Sequence, residues 1–204
     1  MSLRLHETDT VRVSLESVFT NPDDESGIDG DAGQVKTKKL RVMIEQTTLA
    51  AILDNNPASL TLTLVTASFA NTNRKYIMIG SEKCEIASGW GTTSLTLASR
   101  AVKGTTIAAH LTGAAVILAY DATGAEVSVD DNSGTDEADM IDFCLDSGGS
   151  PDGNWQASLA LGAIAYDSYV DIWRRLTVDA ATIAQVIQDL ILVVDSTLSE
   201  TPTP

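Results

Sequence analysis

Histidine, cysteine and basic side chains are scarce in this sequence. Two histidines and two cysteines occur among 204 residues, and 13 lysines and arginines stand against 28 aspartates and glutamates. His6 and His110 are too few to hold a zinc ion without carboxylate help, since structural zinc takes four N or S ligands and catalytic zinc three. Cys84 and Cys144 lie in different halves of the chain, with no CxxC pair and no disulfide-dense spacing, so both read as buried, reduced thiols at strand positions. The formal charge of −15 argues against a nucleic-acid partner, because that affinity rests on Lys and Arg neutralising phosphates. Apolar runs are short as well. The longest, at residues 113–120 and 190–194, fall far below the ~20 residues of a bilayer-crossing helix, so no membrane partner is expected. Residues 1–15 lack a basic start followed by an apolar run, which points to synthesis without a secretion signal. No glycine-rich phosphate loop, H-E-x-x-H or G-x-S-x-G occurs. No catalytic group, cofactor or small-molecule substrate is expected, and the chain reads as a non-enzyme.

What is present points to strands. Hydrophobic residues make up 44% of the chain and charged ones only 20%, with Thr, Ser, Ala, Val, Leu and Ile prominent, the composition of a turn-rich all-β protein. A small N-terminal β-barrel or sandwich domain is expected over residues 1–125, a C-terminal β-sandwich over 126–198, and a tail over 199–204. Val11, Val13 and Leu15 alternate with polar residues, as do Leu60, Leu62 and Leu64, the period of half-buried strands. Residues 36–45 place Leu40, Val42 and Ile44 on one face and Lys39, Arg41 and Met43 on the other. Their lysines suit an edge strand guarded against stray pairing, or a patch that docks on an acidic partner or a second copy. Residues 47–55 suggest a short helical turn stopped ahead of Pro57. Apolar runs at 76–79, 94–97 and 114–120 are separated by glycine-bearing turns. In the C-terminal half, strands are expected at 140–146, 155–161, 169–178 and 188–195.

Two acidic loops interrupt this pattern. The first, within residues 21–35, carries Asp29 and Asp31. The second carries Asp130 and Asn132, followed by Gly134. Both read as solvated loops, with calcium binding as the sharper alternative, because clustered carboxylates can supply hard oxygen ligands. The second loop lacks the downstream glutamate and flanking helices of an EF-hand. Trp155, Tyr169 and Trp173 read as sheet-face packing, with a partner or glycan contact as the alternative.

The stretch Arg100-Ala-Val-Lys-Gly-Thr-Thr-Ile-Ala-Ala-His-Leu-Thr-Gly-Ala-Ala-Val116 is glycine-broken yet patterned. Gly104 permits a positive backbone angle, Thr105 and Thr106 can fix a turn through their hydroxyls, and Ala108 and Ala109 leave room for a closely packed helical turn. His110 reads as a structural histidine bonded to backbone, and Arg100 as a strut across the loop. The stretch resembles a segment of tailed-bacteriophage virion proteins. Arg100, Gly104, Thr105, Thr106, Ala108, Ala109, His110, Gly113, Ala114 and Val116 carry the resemblance, and Ala101 stands where that pattern has glycine. In those proteins a strand pair of the form Tyr/Phe-hydrophobic-x-Ile-x-x-Glu-x-hydrophobic precedes the loop, and the run from Tyr76 through Ile86 is loosely similar. The resemblance implies a multicopy head decoration or head-spike subunit on the virion's outer surface, made in the host cytoplasm and contacting the major capsid protein and other copies of itself. A tail, neck or baseplate component, or a host-glycan-binding module, is the alternative. The run Tyr169-Val-Asp-Ile-Trp-Arg-Arg-Leu-Thr-Val178 is similar to immunoglobulin-like modules of phage virion proteins, which implies an immunoglobulin-like C-terminal sandwich.

Overall fold

The computed structural model describes residues 3–8, 11–13, 32–131, 137–180 and 190–201. Strands account for 62% and helix for 3%, so the chain is all-β as its alternating patterns require. Among the described residues the hydrogen bonding forms three antiparallel sheets.

The first sheet closes into a small barrel. Its spatial order is β4 (Gln46–Thr48), β9 (Ala115–Leu118), β6 (Tyr76–Ile79), β7 (Glu82–Ser88), β8 (Thr92–Ser99) and β5 (Thr61–Ser68). The two ends meet where Leu49 bridges Leu64, Ala50 donates its N–H to Thr63 O at 2.8 Å, and the Thr47 and Thr66 hydroxyls lie 2.8 Å apart. Closure removes the open edges that would otherwise template pairing with other chains. It also overturns the helical turn expected at residues 47–55. The backbone of Leu49 and Leu53 is used laterally: Leu53 exchanges two hydrogen bonds with His110, and Leu49 bonds Gly113 and Ala114. The Leu53 N–H, which an i→i−4 ladder would need, is taken by His110 O, and the residues form bridges and bends.

The second sheet runs β12 (Ser150–Pro151), β11 (Ile141–Ser147), β14 (Tyr169–Val178), β3 (Gln34–Ile44), β1 (Leu3–Thr8) and β2 (Val11–Val13). The edge-strand reading of residues 36–45 is therefore corrected: β3 is interior, paired with β1 on one side and with all ten residues of β14 on the other. Lys39 and Arg41 face outward there, held to Asp171 at 3.0 and 2.6 Å. The third sheet runs β13 (Leu159–Ile164), β10 (Tyr120–Asp131) and β15 (Leu190–Glu200). The strand expected at 155–161 begins only at Leu159, with Gln156 making a single bridge to Phe143.

Two expected boundaries fall inside these elements. The division at 125/126 lies in the middle of β10, and the β3–β14 pairing joins the two halves in one sheet. Residues 199 and 200 belong to β15, and Thr201 donates its N–H to Ala119 O at 2.9 Å, so the tail expected from 199 is strand up to that point. One buried cluster runs through the molecule. It links Leu40, Val42 and Ile44 of β3 to Ile172 and Phe143, to Val127 and Val194 of the third sheet, and to Ile77, Leu95 and Leu118 of the barrel. Alternation of side chains across each strand delivers these residues to one interior.

Candidate functional site

At one end of the barrel lies a buried ionic clasp. Glu82 opens β7, Arg100 follows the end of β8, and His110 lies on the connection that returns to β9. The Glu82 and Arg100 side chains are 0% and 1% exposed. Arg100 grips Glu82 in a two-pronged pair, Nε to Oε1 at 2.8 Å and Nη2 to Oε2 at 2.7 Å, the geometry that favours arginine over lysine at such sites. Oε2 also accepts from the Ala108 N–H at 3.1 Å and lies 2.8 Å from His110 Nε2. Cys84 points its thiol at Oε1 from 3.6 Å. The other arginine N–H groups bond the carbonyls of Asp54, Asn56 and Ala108. Arg100 is thus a strut, as the sequence suggests, and it spans three separate segments. His110 differs from its expectation, because its ring meets a carboxylate rather than backbone.

Burial by itself would push the Glu82 carboxyl up. The Arg100 guanidinium, His110 and the Ala108 N–H more than offset that and bring it down to about 2. It is ionised at neutral pH and has no proton to donate, so the His110 nitrogen facing it carries the hydrogen. Burial, then the neighbouring Glu82 charge, pushes the Cys84 thiol up to about 12. The carboxylate is too acidic to act as a base near pH 7, and the thiol is too weakly acidic to act as a nucleophile. What this arrangement does is hold loops together.

The loop that carries the clasp is built for it. Ala101 (φ 50), Lys103 (φ 57) and Gly104 (φ 86) all take left-handed backbone angles around a one-turn 3-10 helix, Val102–Gly104. The glycine-less position of the pattern therefore does need the glycine conformation. Thr105 Oγ1 donates to Val102 O at 2.9 Å and accepts the Lys83 N–H at 3.1 Å, while Thr106 is exposed. Gly113 also has a positive φ, of 86°. The helical turn expected at Ala108 and Ala109 does not form; residues 105–109 are irregular, because Ala108 gives its N–H and its carbonyl to the clasp.

Sequence reasoning missed Lys83. Its side chain is 1% exposed, and its ammonium donates to Glu200 Oε1 at 2.8 Å and Thr201 O at 2.6 Å. Lys83 and Lys103 also lie over the Tyr76 ring at 5.4 and 5.3 Å. This pins the end of β15 to the barrel. No local pattern marks such a pairing, since the partners are 117 residues apart.

The remaining candidates do not join the clasp. Trp155, Tyr169 and Trp173 lie toward the outer side of the second sheet, where their partners are internal. Arg175 stacks on Trp155 at 4.5 Å and Arg41 on Tyr169 at 3.6 Å, and the Trp173 indole N–H is tied to Asp146 at 2.7 Å. Lys39, Arg41 and Arg175 pair with Asp142, Asp146 and Asp171 across the same strands. One face of both stacked rings is taken by a guanidinium, which leaves less ring surface for a sugar. Asp130 is exposed near the end of β10; Asp29, Asp31 and Asn132 lie outside the described residues. Among the described residues no three His, Cys, Asp or Glu side chains are grouped to hold a metal ion, both cysteines are free and buried, and no helix is long and apolar enough to cross a membrane. Protein-family models, curated proteins and solved structures all lack a match to this chain.

Proposed function

We propose that the chain is a non-enzymatic structural protein of a tailed-phage virion, a multicopy head decoration or head-spike subunit on the capsid exterior. The observation that carries this reading is the Gly104-Thr105-Thr106 segment with its Arg100 and His110. Those residues resemble the virion segment, and they are spent on a buried clasp whose carboxylate and thiol are poorly suited to acid–base or nucleophilic work at neutral pH. A charge of −15 suits a solvent-facing particle surface and not a DNA-facing one. The partners in this reading are the major capsid protein and further copies of the chain. In this reading the immunoglobulin-like module is the second and third sheets, which share a core and draw on β1–β3 as well as on the strands from β10 onward.

Immunogold labelling of purified particles with an antibody to this chain, combined with gel densitometry, tests the proposal. Gold over the head and a copy number comparable to the major capsid protein are expected. Label confined to the tail, neck or baseplate would move the protein to that alternative. Its absence from particles would remove the virion reading altogether.

A further inference from the structure

Lys83 stands on the outer side of the barrel wall, since strand alternation sends its buried neighbours Glu82 and Cys84 inward. A lysine in that position ordinarily carries its charge out to water. This one is 1% exposed. Its ammonium is met by the last residues of β15, Glu200 Oε1 at 2.8 Å and Thr201 O at 2.6 Å, and the Thr201 N–H reaches Ala119 O at 2.9 Å. Those residues lie beyond a break in the β10–β15 ladder. Residues 190–195 pair with 126–131, and 197–200 with 120–123, while Gly124 and Ala125 both stand opposite Ser196. Gly124 takes a positive φ of 61° there. Such a bulge ends one run of pairing and bends the strand before the next.

We propose that residues 197–201 form a releasable strap, hinged at Ser196 and held to the barrel by Glu200 against the buried Lys83 charge. The chemistry of the contact is what a permanent pin would avoid. Seating the strap keeps the ammonium out of water, and it buries the Thr201 hydroxyl, which has no hydrogen-bond partner among the described residues. Both cost free energy. Little apolar burial offsets them: Thr197, Ser199 and Glu200 are exposed, and Leu198 and Thr201 alone are tucked in. The two charges are not equivalent either. Glu200 is 34% exposed and keeps its access to water, whereas Lys83 is sealed off. Removing the lysine charge leaves a hydrated carboxylate under no strain. Removing the carboxylate charge leaves a desolvated ammonium with its best partner gone, the costly way to break such a pair. The strap relieves that cost by lifting, because Lys83 then returns to water beside Lys103 and the Tyr76 ring. The bulge confines the movement to the residues past Ser196. The strap is a property of the chain and does not rest on the virion reading.

Hydrogen exchange of the full chain, read residue by residue by NMR, tests it. Thr201 and the other hydrogen-bonded strap amides should exchange together, at least roughly tenfold faster than the bonded amides of residues 190–195. Glu200→Gln, at an exposed position, should speed the strap amides by about a further tenfold and leave residues 190–195 and β6 unchanged. Lys83→Met, and Lys83→Leu as a second apolar replacement, should hold the strap amides within about threefold of wild type or slow them. Lys83→Met should also cancel the effect of Glu200→Gln in the double variant. Circular dichroism should stay wild-type throughout. A Lys83→Met strap that opens as far as that of Glu200→Gln overturns the proposal, because the ion pair would then be an ordinary pin. So does a Glu200→Gln strap that stays closed, a double variant as open as Glu200→Gln alone, or an opening that spreads through residues 190–195 with no stop at Ser196.

Discussion

Glu82 gathers five donors on two oxygens: two from Arg100, and one each from Ala108, His110 and Cys84. Buried ion pairs contribute little net stability compared with apolar packing, yet breaking one by removing a partner costs several kcal/mol, because the surviving charge is left without compensation. Glu82→Gln keeps the shape and leaves the Arg100 guanidinium facing a neutral amide, so a loss of about 3 kcal/mol is expected. For a chain of this size that lowers Tm by roughly 6–12 °C. The control is Asp130→Asn, exposed near the end of β10, which should stay within about 0.5 kcal/mol. Thermal unfolding followed by circular dichroism decides it, and a Glu82→Gln variant as stable as that control would show that the clasp does not hold the barrel end. Arg100 and His110 stand out in the sequence because of the segment they share. Glu82 does so only through the loose similarity of its strand pair, since a glutamate after Gly80-Ser81 looks like any solvated turn residue. Its partners, 18 and 28 positions later, are found only by folding.

At the scale of elements, the turn after β8 carries a local conflict. Ala101 sits at φ 50, ψ 43, a left-handed conformation that costs a residue bearing a Cβ about 1–2 kcal/mol. Glycine avoids that cost and gives up about 0.5–1 kcal/mol of unfolded-state entropy. Ala101→Gly should therefore stabilise the protein by about 0.5 kcal/mol, seen as a midpoint rise in urea with an unchanged m-value. A lower midpoint would mean that the alanine methyl packs better than its backbone angle suggests. Other elements show where sequence patterns stop. Period-two alternation located β3, β5 and β14 and correctly sorted Leu40, Val42 and Ile44 to the inside. It could not place β3 within a sheet. Whether a lysine-bearing strand is an edge or interior depends on its partners, and Arg41 finds Asp171 across 130 residues of chain. The expected division at 125/126 falls inside β10, since a change of composition there says nothing about which sheet its neighbours join. Residues 47–55 suggest a helical turn stopped ahead of Pro57, and barrel closure redirects the hydrogen bonds of Leu49 and Leu53 instead.

For the whole molecule, the charge of −15 and the paired carboxylates pull the pH dependence in opposite directions. Acidifying from pH 7 toward the sequence pI of 4.2 relieves self-repulsion and favours the compact state. The carboxylates act the other way. Glu82 is held at about 2 against an ordinary 4.5, burial being outweighed by Arg100 and its other donors. The Arg41 hydrogen bond lowers Asp171, and the Gly149 N–H lowers Asp146. A group lowered in the folded state stabilises it fully above its unfolded value, and that stabilisation disappears as pH falls through the folded one. For Glu82 the loss runs from about 4.5 down to about 2. In low salt, Tm should therefore rise or hold level from pH 8 to about pH 5 and drop steeply below about pH 4. Added salt should raise Tm at pH 8, where repulsion dominates, and do little near the pI. Differential scanning calorimetry across this range at two salt concentrations separates the two contributions. A Tm that already declines between pH 7 and pH 5 in low salt, with no gain from salt at pH 8, would mean that the acidic surface is too dispersed to strain the fold.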